Sequence, residues 1–328
     1  MSEPFLIGLV GARGHTGREL IRLIAAHPDL MLAYAVSREW AGRPVAEIAP
    51  EERDGCIFEA LGPDEAAKRR ADVVILALPD GAGAPYVEAI DRHAPRRVIV
   101  DLSADRRFDG AWAYGLPELN RAALNGARRI ANPGCYATAM QLALAPLVER
   151  LEGPASVFGV SGYSGAGTKP GPRNDVERLK DNLMPYALAG HTHEREASRH
   201  LGAPVRFSPH VHPAFSGLIV TVHAPLRAPI DKPDLMRLFE KKYANEPLIA
   251  LRNAPPELKD GTGRSGVLIG GFDVGGDGLG NEQRQGRWAV VCAAEDNLLK
   301  GAAVQAMQNV NLALGLDEMT GLSVPGSH

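Results

Sequence analysis

The chain changes its hydrophobic rhythm partway along. Over roughly the first 130 residues, short unbroken apolar runs alternate with stretches of helical period. The runs are "FLIGLVG" (Phe5–Gly11), "LMLAYAVS" (Leu30–Ser37), "ADVVILALP" (Ala71–Pro79) and "RRVIVDLSA" (Arg96–Ala104), each closing on polar or turn residues. Between the first two, "TGRELIRLIAAH" sets Leu20, Leu23, Ile24 and His27 at the i, i+3, i+4, i+7 spacing of one helix face. Strands apolar on both sides and separated by helices predict a parallel sheet covered on both faces. From about Leu151 to Ala294, Gly-rich turns ("SGYSGAGTKPGP", "VGGDGLG") separate strand-like runs such as "GLIVTVHAPL" and "RWAVVCAAE". That texture predicts an α+β unit with a largely antiparallel sheet. "DNLLKGAAVQAMQNVNLALGL" (Asp296–Leu316) then predicts one long helix, with Asp296 capping its start and Gly315 near its end. The fold expected is α/β: a parallel-sheet domain covered by helices on both faces, plus an α+β domain with a largely antiparallel sheet.

Composition narrows what such a chain does. With 328 residues, 45% of them hydrophobic, it can bury a large core, and the length suits two domains. Lys+Arg of 36 against Asp+Glu of 39 gives a formal charge of -3, so no strong field invites nucleic acid or an anionic membrane. No apolar run reaches the roughly 18 residues of a membrane span, and "MSEPFLIGLVG" lacks the basic region of a secretory signal. Cys56, Cys135 and Cys292 are an odd, widely separated set without zinc spacing, which points to free thiols in a reducing compartment. A cytoplasmic protein with no nucleic-acid partner, no membrane partner and no metal is expected.

The first chemical signal is "GLVGARGHTG". Gly11, Gly14 and Gly17 lie between a predicted strand and a predicted helix. There a bare backbone can approach a pyrophosphate, and the helix start supplies N–H groups and the positive dipole end. The spacing is G-x-x-G-x-x-G rather than the usual G-x-G-x-x-G, so the loop alone is a weak signal; Arg13, His15 and Thr16 complete it. About 20 residues on, where an NAD enzyme places an acid for the ribose, the second run ends in Ser37-Arg38. A hydroxyl and a guanidinium suit the 2′-phosphate of NADP(H). Glu39 keeps an NAD reading open.

The second signal is a thiol. In "ANPGCYATAMQLALAPLVERL", Pro133-Gly134 forces a turn, and beyond Cys135 the residues Leu144, Leu147, Val148 and Leu151 keep a helical face. Cys135 therefore sits at a helix start, where the dipole and free N–H groups favour the reactive thiolate. A small buried hydrophobe is the commoner fate of a free cysteine, and it is the one expected for Cys56 and Cys292. A nucleophilic thiolate needs a proton-handling partner. Two histidine pairs offer one: His191 and His193 in "AGHTHERE", and His210 and His212 in "SPHVHP". Neither has the H-E-x-x-H spacing of a metal site. The first pair is the better acid–base candidate, because Glu194 and Glu196 stand beside it and a carboxylate can orient an imidazole.

Taken in order along nearly the whole chain, "GARGHTGREL", "SREWAGRPV", "VILALPDG", "VDLSADRR", "YGLPELNR", "ANPGCYATA", "SGYSGAGTK", "GHTHERE", "FSPHVHP" and "DNLLKGAAVQAMQNVN" closely resemble the N-acetyl-γ-glutamyl-phosphate reductase family of arginine biosynthesis. The resemblance implies that Cys135 attacks an acyl phosphate to form a thioester, which NADPH reduces to the semialdehyde. It implies that His191, His193 and Glu196 complete the catalytic set, with the division of labour between the histidines left open. Arg107 and Asn132 fall where the substrate and its leaving phosphate are held; Ser164, Gly165 and Asn297 fall on the cofactor side. Gly301, Ala302 and Ala303 suit a last helix packed on the cofactor domain, which implies a discontinuous, Rossmann-like NADP-binding domain of residues 1–134 with 296–328 and an α+β catalytic, substrate and dimerisation domain of residues 135–295. A homodimer or homotetramer built through the substrate-domain sheet is implied as well.

The match has gaps. The family's histidine motif usually carries an arginine between the two histidines and a proline after them, both absent from those places in "HTHEREA", and an arginine usually stands where this chain has Ser216. Arg173, Arg195 and Arg206 are the candidates to supply the missing charge. Other readings are the reductase of a carrier-bound aminoadipyl phosphate, aspartate-semialdehyde dehydrogenase, a metal-dependent hydrolase built on the H-x-H pairs, and a non-catalytic NADP-sensing regulator. "GCYATA" and "SGYSGAG" speak against the first, and "GHTHERE" with "DNLLKGAA" against the second. An intact Cys135 with its histidine pair speaks against lost chemistry.

Overall fold

A computed structural model describes residues 3–276 and 285–323, so most of "VGGDGLG" (274–280) lies outside the described residues. The chain divides into two compact units: residues up to Gly134 together with Ala302–Ser323, and Cys135–Gly301.

The first unit runs β1 (Phe5–Val10), α1 (His15–Ala26), β2 (Leu30–Val36), β3 (Phe58–Glu59), α2 (Pro63–Lys68), β4 (Val73–Leu76), α3 (Ala84–His93), β5 (Val98–Asp101), β6 (Ala113–Tyr114), α4 (Pro117–Leu124) and β7 (Arg129–Ala131). All seven strands pair in parallel, in the order β3-β2-β1-β4-β5-β7-β6. The direction of winding reverses between β1 and β4, and in such sheets ligands bind beyond the carboxyl ends of the strands at that reversal. Gly11 is the first residue past β1. The apolar runs are strands because both of their faces are covered: Val73, Val74, Ile75 and Leu76 are all fully buried. The predicted face of α1 is the buried one, His27 included, whose Nε2 meets Asn311 Oδ1 at 3.1 Å.

The second unit runs α5 (Cys135–Leu144), β8 (Ala155–Gly162), α6 (Val176–Leu179), β9 (Met184–Pro185), α7 (Thr192–Leu201), β10 (Val205–His212), β11 (Leu218–Asp231), α8 (Lys232–Tyr243), β12 (Ile249–Leu251), α9 (Leu258–Gly261), β13 (Val267–Gly275) and β14 (Gln285–Glu295). Its sheet is ordered β12-β13-β14-β11-β8-β10-β9. The core pairs β11–β14, β11–β8 and β13–β14 are antiparallel, but β8–β10 and β12–β13 are parallel, so the sheet is mixed. The parallel β8–β10 pair follows from the crossover through α7. Helices α5, α7 and α8 cover one face of the sheet; the other exposes Phe158, His223 and Trp288.

Two expectations change. Helix α5 is buried on every side from Tyr136 to Leu144, so it has no amphipathic face to extend; Pro146 then tightens the chain into a 3₁₀ turn over Ala145–Arg150. The long helix from Asp296 is broken. Asp296 does bond the next turn, Oδ1 accepting from Leu298 N at 2.8 Å. A π-helical turn over Leu299–Ala303 comes next, and only then α10 (Val304–Leu314), closed by Gly315 at φ 72°. Asp296–Gly301 falls in the second unit and Ala302–Ser323 in the first. Asp296 Oδ2 accepts from the Ser216 hydroxyl and from Gly263 N, and these bonds hold the segment in the second unit. Helix α10 packs on α1, α4 and β5 of the first.

Candidate active site

The glycine loop of the first unit is bare by necessity. Gly11 has φ 84°, and a Cβ on it would lie 2.2 Å from the Ala77 carbonyl oxygen; one on Gly17 would lie 2.4 Å from that of Ala12. Gly14 is the N-cap of α1 and caps it with no side chain. The first-turn N–H groups, beginning at His15 and Thr16, thus face outward over a flat backbone cradle, which fits a pyrophosphate. Burial, and after it Arg18, lowers the pKa of His15, so its ring is neutral near pH 7. Ser37 and exposed Arg38 follow the end of β2. Glu39 pairs with Arg13 at 2.9 Å, so the acid that kept NAD open is already engaged.

Arg107 and Asn132, also in this unit, are buried. Arg107 Nε donates to the Asn132 carbonyl at 2.9 Å and Nη2 to that of Leu102 at 2.8 Å. The Asn132 amide donates to Ala302 O and accepts from Asn309 Nδ2 at 2.9 Å. These bonds fix the backbone that leads through Pro133-Gly134 into Cys135.

In the second unit, half-buried Cys135 is the first residue of α5. Gly301 lies against it: a Cβ there would come within 2.6 Å of Cys135 Cβ and 3.0 Å of Glu295 Oε1. The small residue that sequence reading assigned to packing on the cofactor domain instead makes room for the Cys135 side chain. Next in the chain, Tyr136 donates to His210 O at 2.8 Å and packs on Phe207 at 4.7 Å between ring centres. Its ring crosses Gly159, where a Cβ would stand 2.6 Å from Tyr136 Cε1.

The histidine pair comes to the same place. His191 caps α7, its Nδ1 accepting the His193 backbone N–H at 3.0 Å. The two rings are 4.8 Å apart; Tyr136 is 6.5 Å from the first and 6.2 Å from the second. Burial, then Arg173, lowers the His191 pKa to about 4, with Glu194 opposing. Because Nδ1 accepts the capping N–H, the neutral ring carries its proton on Nε2. Fully buried Glu196 follows His193 at i+3 on α7. Glu194 acts on His191 through its charge and is also hydrogen-bonded to backbone. Its two oxygens accept from Gly190 N and Phe207 N, tying α7 to β10. The second pair lies apart: His210 stacks on Phe158 at 4.3 Å, and His212 Nδ1 accepts from Ala214 N.

Ser164, Gly165 and Asn297 are brought together in this unit. Asn297 Nδ2 donates to Ser164 Oγ at 2.9 Å and its Oδ1 accepts from Gly217 N at 3.0 Å, while a Cβ on Gly165 would stand 3.4 Å from Ser161 Oγ. Sequence reasoning missed Tyr186, whose ring is 5.6 Å from His191. Burial first, and then the charge of Cys135, pushes its phenol up to about 12. No spacing announces it. It arrives because β9 pairs with β10, and Tyr186 N donates to Pro209 O. Glu295, the last residue of β14, was missed as well; its Oε1 is 3.0 Å from where a Cβ on Gly301 would stand.

Family models match as "Semialdehyde dehydrogenase, NAD binding domain" over residues 6–127 and "Semialdehyde dehydrogenase, dimerisation domain" over residues 135–297. The chain is 54% identical over 320 residues to the N-acetyl-gamma-glutamyl-phosphate reductase of Xanthomonas campestris pv. campestris (strain B100), covering 98% of this chain and 99% of that one. It is 54% identical over 321 residues to that of Xylella fastidiosa (strain 9a5c), covering 98% and 94%. Among solved structures, aspartate semialdehyde dehydrogenase II of Vibrio cholerae, complexed with ASA, superposes with a TM-score of 0.74 at 18% identity, over 96% of this chain and 99% of that one. The Candida albicans aspartate semialdehyde dehydrogenase with NADP gives 0.70 at 15% identity, over 95% and 99%. At such identities the likeness is one of fold. The relatives at half identity over the full length go further: the chain belongs to the N-acetyl-γ-glutamyl-phosphate reductases of the semialdehyde dehydrogenase family.

Proposed function

We propose that this chain reduces N-acetyl-L-glutamyl 5-phosphate to N-acetyl-L-glutamate 5-semialdehyde and phosphate, a step of arginine biosynthesis, with NADPH as reductant. The observation that carries this reading is Cys135 at the start of α5, its neighbour Tyr136 lying 6.5 and 6.2 Å from the rings of His191 and His193, with Glu196 one turn further along α7. NADP(H) fits the Gly11–Gly17 cradle with Ser37 and Arg38 at the 2′-phosphate, and when bound it supplies the hydride.

The protein's own groups do the rest. Cys135 Sγ attacks the acyl carbon, the bond from that carbon to the phosphate oxygen breaks, and a thioester remains. His193 takes the thiol proton and returns it to the departing phosphate; Glu196, one turn along α7, stabilises the transient imidazolium. His191 cannot share that task, because Nδ1 is held by its cap. It offers Nε2–H to the oxygen of the reacting carbonyl, alongside the backbone N–H groups at the start of α5. After reduction Cys135 leaves as thiolate, a good leaving group, and one proton taken up from solvent through His193 restores the thiol for the next cycle. One residue type serves both half-reactions.

The reading extends to assembly. The second unit matches a dimerisation domain, and pairing of its open sheet face, with Phe158 and Trp288 exposed, supports a homodimer or a homotetramer of two dimers. The free thiols of Cys56, Cys135 and Cys292 suit the cytoplasm.

The test is phosphate-dependent reduction of NADP⁺ with N-acetylglutamate semialdehyde, on wild type and Cys135→Ser, with aspartate semialdehyde as the rival substrate. Activity that requires phosphate or arsenate and is lost in the serine variant supports the reading. Full activity in Cys135→Ser sinks it.

A further inference from the structure

The reaction at Cys135 concerns one end of the substrate. The α-carboxylate at the other end carries a full negative charge, and a carboxylate is held best by a guanidinium that offers two parallel N–H donors. Position 216 supplies no cation: Ser216 donates its hydroxyl to Asp296. Arg206 points away. Its neighbour Phe207 packs on Tyr136 and His191 at 4.7 and 5.4 Å, and successive strand residues face opposite sides. Arg195 is exposed on α7, as Arg173 is on its loop, so exposure does not separate the two and position beside the site must.

Arg173 is different. Its guanidinium lies 4.8 Å from the centre of the Tyr186 ring, and that ring is 5.6 Å from His191. It joins no ion pair among the described residues. The Tyr186 hydroxyl takes one hydrogen bond from this guanidinium; with five N–H donors in a planar fork, an arginine held over the ring keeps others for a ligand. The loop that presents it is braced from within. Asn174 donates to the carbonyls of Gly167 and Lys169 at 2.9 and 2.8 Å and accepts from Gly171 N at 2.8 Å. Asp175 then caps α6. Such a loop holds the side chain in place before any ligand arrives. Arg173 also acts electrostatically on both His191 and Tyr186.

Building on the reductase reading, we propose that Arg173 is the specificity-determining residue that binds the α-carboxylate of the acylated amino-acid substrate. It sits one ring beyond His191, so the carboxylate end of the substrate lies past the histidine pair while the acyl carbon lies at Cys135.

The experiment compares wild type with Arg173→Gln and Arg173→Lys in the reverse direction. The Michaelis constants for N-acetylglutamate semialdehyde and for phosphate are measured separately. The decarboxylated analogue 4-acetamidobutanal is the second aldehyde. Loss of a charge-assisted pair raises the KM for the semialdehyde roughly 10- to 100-fold in Arg173→Gln, with partial recovery in Arg173→Lys, while the KM for phosphate stays put. Wild type discriminates against the analogue, and Arg173→Gln handles the two aldehydes alike. An unchanged KM for the semialdehyde, or a rise that falls on phosphate instead, overturns the proposal. Wild type without phosphate-dependent activity overturns the reductase reading itself, and the assignment of Arg173 with it.

Discussion

His191 accepts the backbone N–H of His193 on its Nδ1, at 3.0 Å. Two histidines that look equivalent in "GHTHERE" are thereby made different. One is both a helix cap and a neutral Nε2–H donor; the other is free of that duty and faces Tyr136 one position into α7's first turn.

This duality separates two substitutions at position 191. Asparagine is a good N-cap and alanine is not, the difference being about 1 kcal/mol in typical helices. Both remove the imidazole donor. His191→Asn is expected to unfold near the wild-type denaturant midpoint, His191→Ala earlier, and both to lose activity to a similar extent. Urea unfolding and initial rates on the same preparations check this. Equal stability of the two variants would mean that the cap is not formed.

The same residue gives a signed pH dependence. Burial holds the folded His191 pKa at about 4, below its ordinary 6.5. Between these values the unfolded chain binds a proton that the folded one refuses, so stability rises with pH across the window. The contribution is complete above 6.5 and lost as pH falls through 4. His15 and His27, also lowered chiefly by burial, act with the same sign. His191→Asn should therefore flatten the stability profile between pH 4 and 6.5 without abolishing its slope. A profile as steep as wild type would contradict the buried neutral ring.

Gly301 is expected to be irreplaceable. A methyl group there would meet Cys135 Cβ at 2.6 Å, closer than such carbons approach one another, so the start of α5 must shift. Overpacking of this kind costs about 1–3 kcal/mol, while a displaced nucleophile costs roughly 100-fold in rate for an ångström of misplacement. Gly301→Ala should remain folded by circular dichroism and lose activity far out of proportion to its stability. Near-normal activity would show that the π-helical turn can yield instead.

Much of this was legible in the sequence, and the reason is physical. The strands of the first unit are buried on both sides and read as unbroken apolar runs; α1 is half-buried and shows its period; Gly11 and Gly17 stand where any Cβ would strike a carbonyl. Cys135 was marked by Pro133-Gly134 before it. What was hidden has no local signature. Helix α5 is surrounded by protein, so its period vanishes. Tyr186 reaches His191 through the two-residue strand β9, and Arg173 reaches Tyr186 from a loop between. The π-helical turn at Leu299–Ala303 reflects close contact with a residue more than 160 positions earlier, which no window of sequence contains.

Cofactor choice gives the last prediction. Glu39 is the acid nearest the end of β2, and an acid there would favour the free ribose hydroxyls of NAD. In the structure it is paired with Arg13 at 2.9 Å, leaving exposed Arg38 to meet a phosphate. The Arg13–Glu39 pair is itself solvent-exposed and contributes at most about 1 kcal/mol to stability, so its consequence is electrostatic rather than structural. Arg38→Ala should weaken NADPH binding by roughly 10-fold or more, the worth of a charge-assisted hydrogen bond, and leave NADH binding nearly unchanged. Arg13→Ala should act in the other direction for NADH, because it releases Glu39 toward the ribose. Fluorescence titration of both nucleotides on the two variants measures these effects apart from turnover. If Arg38→Ala weakened NADH and NADPH equally, Arg38 would be reading the pyrophosphate common to both, and the 2′-phosphate would have to be held elsewhere.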